Sequence, residues 1–326
     1  MTQRLTDTAG PGSEFGQLLP AQVGIQARTP LQLAWRRIRR DRVTLCSAGF
    51  VVLLSLIALF APLVCRLIGQ DPYTQDRTAT GLTPDGLPVG PSAQHWLGTD
   101  EVGRDVLARL IYGARVSLEV GLLATASALL VGLVVGLTAG YYGGRTDMFL
   151  SRSMDVVLSF PFVLTALSIV AITGPRLSVS VVVIAFFSFS SVGRIVRGQV
   201  LSLREREFVE AARSLGASDL RIMRVDILPN LVAPLLVYGT LLIPVAIVSE
   251  ATLSFLGLGV PVPTATWGTM LANSATGLYQ VAWWYLVFPS VALLLTTLAF
   301  NLVGDGLRDA LDPRADRVLT SRKAHR

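Results

Sequence analysis

The sequence predicts an all-α polytopic membrane protein with six transmembrane helices. Three observations predict this class. The 326-residue chain is 52% hydrophobic and only 15% charged, its mean hydropathy is +0.56, and its charged residues separate long apolar stretches. Both the hydrophobic and the charged fraction lie outside the range of soluble proteins.

Each apolar stretch is close to the ~20 residues with which a helix crosses ~30 Å of hydrocarbon. The stretches occupy residues 43–65, 120–144, 156–175, 177–193, 227–249 and 281–304. Because the stretch at 177–193 is the shortest, we expect its helix to begin or end in the interfacial region.

The distribution of Arg and Lys predicts the orientation, because cytoplasmic flanks retain positive charge. With the N-terminus inside, the inner segments carry 22 of these residues and the outer segments 6. Both termini are therefore predicted to be cytoplasmic, and residues 66–115 external. Anionic lipid of the inner leaflet is a sufficient partner for the net charge of +6, and no nucleic acid is needed to explain it.

This orientation divides the chain into consecutive parts. Residues 1–42 are predicted to be a cytoplasmic tail, disordered over 1–30 and ending in a basic interfacial helix. The first transmembrane helix (43–65), an external segment (66–115) and a transmembrane core (116–304) follow. The core contains a long cytoplasmic loop at 194–226, and residues 305–326 form a cytoplasmic tail.

The external segment ends in a regular stretch that predicts a helix. Thr99 or Asp100 is a candidate N-cap, and the apolar side of this helix includes Val102, Val106, Leu110 and Ile111. Two interpretations remain open: a collar over the external mouth, or an interfacial helix.

Small residues recur every four positions within the second span, at Ala124, Ala128, Gly132, Gly136 and Gly140. Such a stripe lets two helix backbones approach closely in lipid, so we predict a packing role. A second uncharged stretch, at residues 256–277, is rich in helix breakers. It is interpreted either as a re-entrant, gate-like loop or as an ordinary outer loop with a short interfacial helix at 267–272.

The loop at 194–226 is charged and divided by a glycine. Its first helix is predicted to place Leu201, Phe208, Ala212 and Leu215 on one face, and Gly216 to end it. Ser218 or Asp219 then caps a second short helix with an apolar ridge of Leu220, Met223 and Ile227, and Pro229 marks the turn into the membrane.

An exposed helix with such a ridge is suited to the groove of a partner protein. The alternative is a pair of helices lying on the membrane surface. A helix-turn-helix module for nucleic acid is disfavoured, because transmembrane spans on both sides prevent it from entering a major groove.

These residues resemble a known motif. Glu210, Ala211, Ala212, Gly216, Ile227 and Pro229 match the EAA loop of the membrane subunits of bacterial ABC importers. The stretches HWLGTDEVGRDVLARLIYGARVSL and NLVGDGLRDALDPR resemble the C-type permease subunit of dipeptide, oligopeptide and nickel importers.

The resemblance implies a type I permease fold in the bacterial inner membrane and a solute such as a dipeptide or oligopeptide. It also implies that the short helix after Gly216 is a coupling helix, which docks on an ATPase. The implied partners are a homologous second permease, two cytoplasmic ATPases and an external solute-binding protein.

An enzyme is disfavoured by the residues themselves. A phosphate-binding loop requires a lysine, and the only lysine is Lys323 in the C-terminal tail. The two histidines, His95 and His325, form no zinc-type cluster in the sequence. We therefore expect no cofactor on this chain, and ATP with magnesium on the partner ATPases.

The competing function is an ion-coupled secondary transporter or a channel. Ion coupling generally uses ionisable groups near the middle of the membrane. Here Glu119, Glu250 and Asp305 are predicted near the ends of spans, which favours the ABC permease. Glu250 is the deepest, and it either lines the outer path or is paired with a neighbour.

Overall fold

The computed structural model describes residues 38, 39 and 41–311, which form a helical bundle. In chain order its α-helices are α1 (Arg42–Leu59), α2 (Ala61–Ile68), α3 (Val106–Tyr142), α4 (Gly144–Ser159), α5 (Phe162–Thr173), α6 (Leu177–Leu203), α7 (Glu207–Ser214), α8 (Asp219–Arg221), α9 (Leu228–Phe255), α10 (Trp267–Ala275) and α11 (Trp283–Leu311). A π-helical segment, Ile222–Ile227, joins α8 to α9, and a 3-10 turn, Leu278–Gln280, precedes α11. Within this part of the chain, β pairing is limited to two isolated bridges. The all-α prediction is therefore confirmed.

Five helical units are long and apolar enough to cross a membrane. They are α1, α3, α6, the continuous helix Asp219–Phe255, and α11. A sixth span is formed if α4 and α5, which are bent by 84° relative to each other, are counted together. By length and composition, the described residues thus agree with six spans once the bent pair is counted as one.

Two of the predicted spans are broken near prolines. The predicted third span, 156–175, is interrupted at Phe160, which is extended (ψ 133°) and precedes Pro161. The first span is interrupted at Phe60, just before α2 and its early proline. A proline disfavours helical geometry in the residue before it, which explains the break at Phe160. Pro62 lies two residues after Phe60 and has no N–H to donate to the preceding turn, which explains the break at Phe60.

The external segment corrects another prediction. Neither Thr99 nor Asp100 caps a helix; Asp105 is the N-cap of α3, and its side chain accepts a hydrogen bond from the Ala108 N–H. The expected collar or interfacial helix does not exist separately, because its residues from Val106 onward are the start of one 37-residue helix. The predicted boundary between residues 115 and 116 therefore falls inside α3.

The remaining predicted boundaries also shift. Helix α6 continues to Leu203, so the first ten residues of the predicted loop at 194–226 are helical. Helix α11 continues to Leu311, and so includes the start of the predicted C-terminal tail. The predicted disordered tail and nearly all of the basic helix before Arg42 lie outside the described residues, as do residues 312–326.

Helices α3 and α6 pack with their backbones almost in contact. All five stripe residues are buried: Ala124, Ala128, Gly132, Gly136 and Gly140. A methyl group added at any of the three glycines would lie only 2.5 to 2.8 Å from the nearest atom of α6, in Val192, Gly193 or Val200. The stripe therefore packs against a helix of the same chain.

We expect Gly136→Ala to destabilise the protein by about 1–3 kcal/mol, because the added Cβ would lie 2.5 Å from the Gly193 carbonyl oxygen. The matched control is Gly198→Ala, since a Cβ at that helical glycine has no atom within 4 Å. The measurement is the thermal unfolding temperature of both purified variants. Equal temperatures for the two would contradict the close packing of α3 and α6.

Candidate functional site

The segment with the glycine-divided helices begins with α7. Glu210 and Ala211 are exposed on this helix and Ala212 is half-buried. The side chain that anchors α7 is Val209, which has no exposed surface and packs with Val196 and Val200 of α6. The prediction of one helix through Leu201 and Phe208 is wrong, because Leu201 lies in α6 and Phe208 in α7. Phe208 and Leu215 are 44% and 88% exposed.

Gly216 ends α7 as the sequence predicted. Its φ is +77°, in the left-handed region that favours glycine. The N–H of Ala217 bonds to the Ala212 carbonyl, and that of Gly216 bonds to the Arg213 carbonyl. This Schellman arrangement satisfies carbonyls at the end of α7 and reverses the chain direction.

The helix after Gly216 begins where the sequence predicted but continues beyond its predicted end. Ser218 occupies the N-cap position without a side-chain capping bond, and Asp219 is the first helical residue. There is no turn at Pro229, because the helix runs without interruption from Asp219 to Phe255. The wider π-helical turns at Ile222–Ile227 lie next to this proline, which has no N–H to donate.

The predicted apolar ridge is divided between two surroundings. Leu220 is 53% exposed, whereas Met223 and Ile227 are buried against α6 and α3 of the same chain. The prediction of one free ridge is therefore wrong for two of its three residues. A period of 3.6 residues could not have predicted this, because the π-helical segment changes the angle between successive side chains.

The segment Glu207–Ile227, here called the coupling segment, thus has an inner face and an outer face. The inner face consists of Val209, Ile222, Met223 and Ile227. The outer face consists of the exposed apolar residues Phe208, Leu215, Leu220 and Val225, among the exposed charges of Glu207, Glu210, Arg213, Arg221 and Arg224. Exposed apolar side chains surrounded by charges are typical of a protein-binding surface.

Polar contacts tie the neighbouring helix ends together. The Tyr141 hydroxyl donates to Asp219 Oδ1 at 2.8 Å, which links α3 to the coupling segment. Arg204 Nη1 donates to the Gly140 carbonyl at 3.1 Å, and so caps α3 from the end of α6. Arg197 of α6 forms a two-pronged ion pair with Asp147 of α4.

The opposite end of α3 carries a buried polar cluster, here called the outer cap. Asp100 is fully buried, and its Oδ2 accepts from Arg104 Nε at 2.6 Å and lies 3.3 Å from Arg109 Nε. Asn273 of α10 donates to Glu101 at 2.7 Å, and the Trp284 ring N–H of α11 donates to the Thr99 carbonyl at 3.1 Å. The outer cap therefore joins α3, α10 and α11.

A second part of the outer cap centres on His95. Its Nδ1 lies 2.9 Å from Asp105 Oδ2, and its Nε2 lies 3.6 Å from Asp76 Oδ2. The hydroxyls of Thr78 and Thr80 donate to Asp76 and lower the pKa of its carboxyl well below the ordinary value. Among the described residues, no group of three His, Cys, Asp or Glu side chains has the arrangement of a metal site.

The three acidic residues considered for ion coupling have different environments. Glu119 and Asp305 are exposed on α3 and α11. Glu250 is fully buried and accepts hydrogen bonds from Ser254 at 2.6 Å and from Ser117 of α3 at 3.1 Å. Of the two interpretations of Glu250, the structure therefore favours pairing with neighbours.

The uncharged stretch at 256–277 contains a helix close to its predicted position. Helix α10, Trp267–Ala275, is capped by Thr266, and the Trp267 ring N–H donates to the Leu110 carbonyl at 3.0 Å. Because Trp267 is 1% exposed, this helix packs into the bundle through that side chain. The predicted interfacial helix at 267–272 is therefore part of the packed bundle instead of lying on its surface.

Sequence reasoning missed the structural roles of Tyr141, Arg104 and Arg109, and it assigned Asp100 to a helix cap instead of a buried ion pair. A usable signal existed for Arg109, which interrupts an otherwise apolar helical face three residues after Val106 and so indicated a buried ion pair. For Tyr141 there was none, because a tyrosine near the end of a span is an ordinary interfacial residue.

Comparisons with known proteins agree with this architecture. The family described as "binding-protein-dependent transport system inner membrane component" matches residues 132–317. The "N-terminal TM domain of oligopeptide transport permease C" matches residues 29–84.

Two curated relatives match along most of their length. A dipeptide transport system permease protein, DppC, of Alkalihalophilus pseudofirmus is 42% identical over 295 residues, which cover 90% of this chain and 93% of the relative. A glutathione transport system permease protein, GsiD, of Escherichia coli is 43% identical over 289 residues, covering 89% and 92%.

Among solved structures, an inward-facing MetNI methionine ABC transporter is similar in fold. Its TM-score is 0.52 at 18% identity, and the match covers 63% of this chain and 97% of that chain.

We expect Gly216→Val to loosen the turn at the end of α7. A Cβ there meets no atom within 4 Å, so the cost comes from the left-handed backbone alone and is about 1 kcal/mol or more. Trypsin should then cleave at the flanking Arg213 and Arg221 about fivefold faster. The control is Gly198→Val, which has equal space without a positive φ; equal cleavage of the two variants would contradict the role of Gly216.

Proposed function

This chain belongs to the family of binding-protein-dependent transport system inner membrane components, and we propose that it forms the peptide path of its importer together with a homologous second permease. It is the C-type permease subunit of an ABC importer, and a multi-pass membrane protein. ATP hydrolysis belongs to a separate partner. Family membership decides against the competing secondary transporter or channel.

The proposed solutes are dipeptides, oligopeptides and glutathione-like molecules. Support comes from the two relatives, one named for dipeptide and one for glutathione transport. Such solutes share amide bonds and charged ends. The proposed external partner is a solute-binding protein that delivers them to the outer side of the bundle.

The outer face of the coupling segment carries the proposal for the ATPase contact. Its apolar residues remain exposed although the inner face of the same segment is buried within this chain. A surface that the bundle leaves uncovered, apolar and ringed by charges fits a groove on another protein. We assign one such contact to each of two cytoplasmic ATPases, one through this chain and one through the second permease.

Transport is driven by movement of the coupling segment together with the ATPase that it contacts. Binding of ATP and magnesium, both on the partner subunits, changes the distance between the two ATPases. The coupling segment moves with its ATPase, and the bundle shifts between outward-open and inward-open states. The shift can be no larger than the difference in binding free energy between these states.

The proposed orientation places both termini and the coupling segment in the bacterial cytoplasm. In a background with Cys46 and Cys65 replaced by Ser, Asp85→Cys should react with an impermeant thiol reagent from outside, and Ser218→Cys only from inside. Both side chains are exposed, so access depends on the side of the membrane. Labelling of both positions from the same side would overturn the orientation.

Leu220→Asp should abolish most ATPase-coupled transport, because a carboxylate buried without a partner at the interface costs about 3–5 kcal/mol. The reconstituted complex is assayed for ATP hydrolysis, and for ATP-dependent uptake of labelled dipeptide and glutathione, with loaded binding protein. The matched control is Leu87→Asp, a 41% exposed leucine in the predicted external segment.

The control variant Leu87→Asp should transport at the wild-type rate. Full uptake by Leu220→Asp would contradict the docking of the outer face. Uptake of neither solute by the wild-type complex would contradict the proposed solute class.

A further inference from the structure

Helix α3 runs from one functional surface of the molecule to the other. Its 37 residues contain no proline and extend about 55 Å at 1.5 Å per residue. At its start, Asp105 caps the helix and contacts His95 in the outer cap. At its end, Tyr141 contacts the coupling segment.

The Tyr141 contact joins α3 to the helix that begins after Gly216. The ring is buried, with 6% of its surface exposed, among the inner-face residues of the coupling segment. Its hydroxyl donates to the carboxylate of Asp219, the first residue of α8. Arg213, on the other side of the Gly216 turn, lies beside the same hydroxyl.

The position of this hydroxyl is fixed by its own helix. Gly140, the preceding residue, lies against Val200 of α6, and its carbonyl accepts from Arg204. The end of α3 is therefore held to α6 on two sides. The coupling segment contains two departures from regular helix, the left-handed turn at Gly216 and the π-helical turns at Ile222–Ile227.

We propose that Tyr141 is a positioning residue that fixes the coupling segment to α3, so that displacement of the segment by the ATPase is transmitted along α3 to the outer cap. This inference rests on the proposed function, because it requires an ATPase on the outer face. The link has two parts: the buried ring belongs to the same apolar cluster as the inner face, and the hydroxyl ties Asp219, the first residue of the continuous helix to Phe255, to the end of α3.

The test compares Tyr141→Phe with Tyr142→Phe in the reconstituted complex. The first change removes the hydroxyl that bonds to Asp219 and keeps the ring. The second removes a hydroxyl from the adjacent, 52% exposed tyrosine. Loss of a hydrogen bond to a carboxylate is large enough to lower the number of dipeptides imported per ATP hydrolysed about tenfold.

We expect Tyr141→Phe to lower the number of dipeptides imported per ATP hydrolysed about tenfold, while Tyr142→Phe keeps the wild-type ratio. The amount of ATPase recovered with the complex should remain that of the wild type. A ratio unchanged in Tyr141→Phe would overturn the proposal. Loss of ATPase recovery would also overturn it, because the hydroxyl would then serve docking and not transmission.

Variants of Asp219 provide a second measurement. Asp219→Asn keeps an acceptor oxygen and should retain more of the coupling ratio than Asp219→Ala. The double variant Tyr141→Phe with Asp219→Ala should be no worse than Asp219→Ala alone. Independent losses that multiply would show that the two groups do not act through their mutual bond, which contradicts the proposal.

Failure of the proposed function has a different outcome. If the wild-type complex recovers no ATPase, or loaded binding protein does not stimulate hydrolysis, the proposed function fails. If the wild type is stimulated and Tyr141→Phe matches it, the positioning role alone fails.

Discussion

The close approach of α3 and α6 is the constraint on which the remaining structure depends. In lipid, burial of apolar surface gives little drive for helices to associate, so packing contacts must supply it. At Gly132, Gly136 and Gly140 the absence of side chains brings the two backbones together. The outer cap is built on the start of α3, and the coupling segment packs across the ends of α3 and α6. The positions of the outer cap and of the coupling segment therefore both depend on this helix pair.

Features that depend on local sequence could be predicted. The stripe every four residues indicated a packing face, and Gly216 has the left-handed conformation that its place at the end of a helix suggested. The six apolar stretches agree with the candidate spans of the described residues when the bent pair α4 and α5 is counted as one span. In each case the pattern is contained in a few neighbouring residues.

Features that depend on contacts between residues far apart in the sequence could not be predicted. The buried ion pairs of Asp100 stabilise a turn, whereas from sequence Asp100 was an equally good helix cap. Met223 and Ile227 were placed on a free ridge because their partners in α6 are far away in sequence. The 84° bend at Phe160 and Pro161 has a local cause, but a proline alone gives neither the size of a bend nor its direction.

The coupling segment combines a fixed and a free surface in about twenty residues. Val209, Ile222 and Ile227 have no exposed surface and belong to the core of this chain. Leu215 and Leu220, only a few residues away, remain uncovered. The two faces therefore have separate constraints. The inner face determines the position of the segment in this chain, and residues of the outer face can change with the partner without disturbing the core.

The environment of Glu250 has a consequence for how the chain is built into the membrane. Placing an isolated carboxylate in a transmembrane helix costs about 3 kcal/mol during insertion. Ser254, one turn further along the same helix, supplies one hydroxyl to it, and Ser117 of α3 supplies the other. Because synthesis proceeds from the N-terminus, α3 leaves the ribosome more than a hundred residues before Glu250. The order of translation therefore places one of the two hydroxyl partners in the bilayer before the carboxylate arrives.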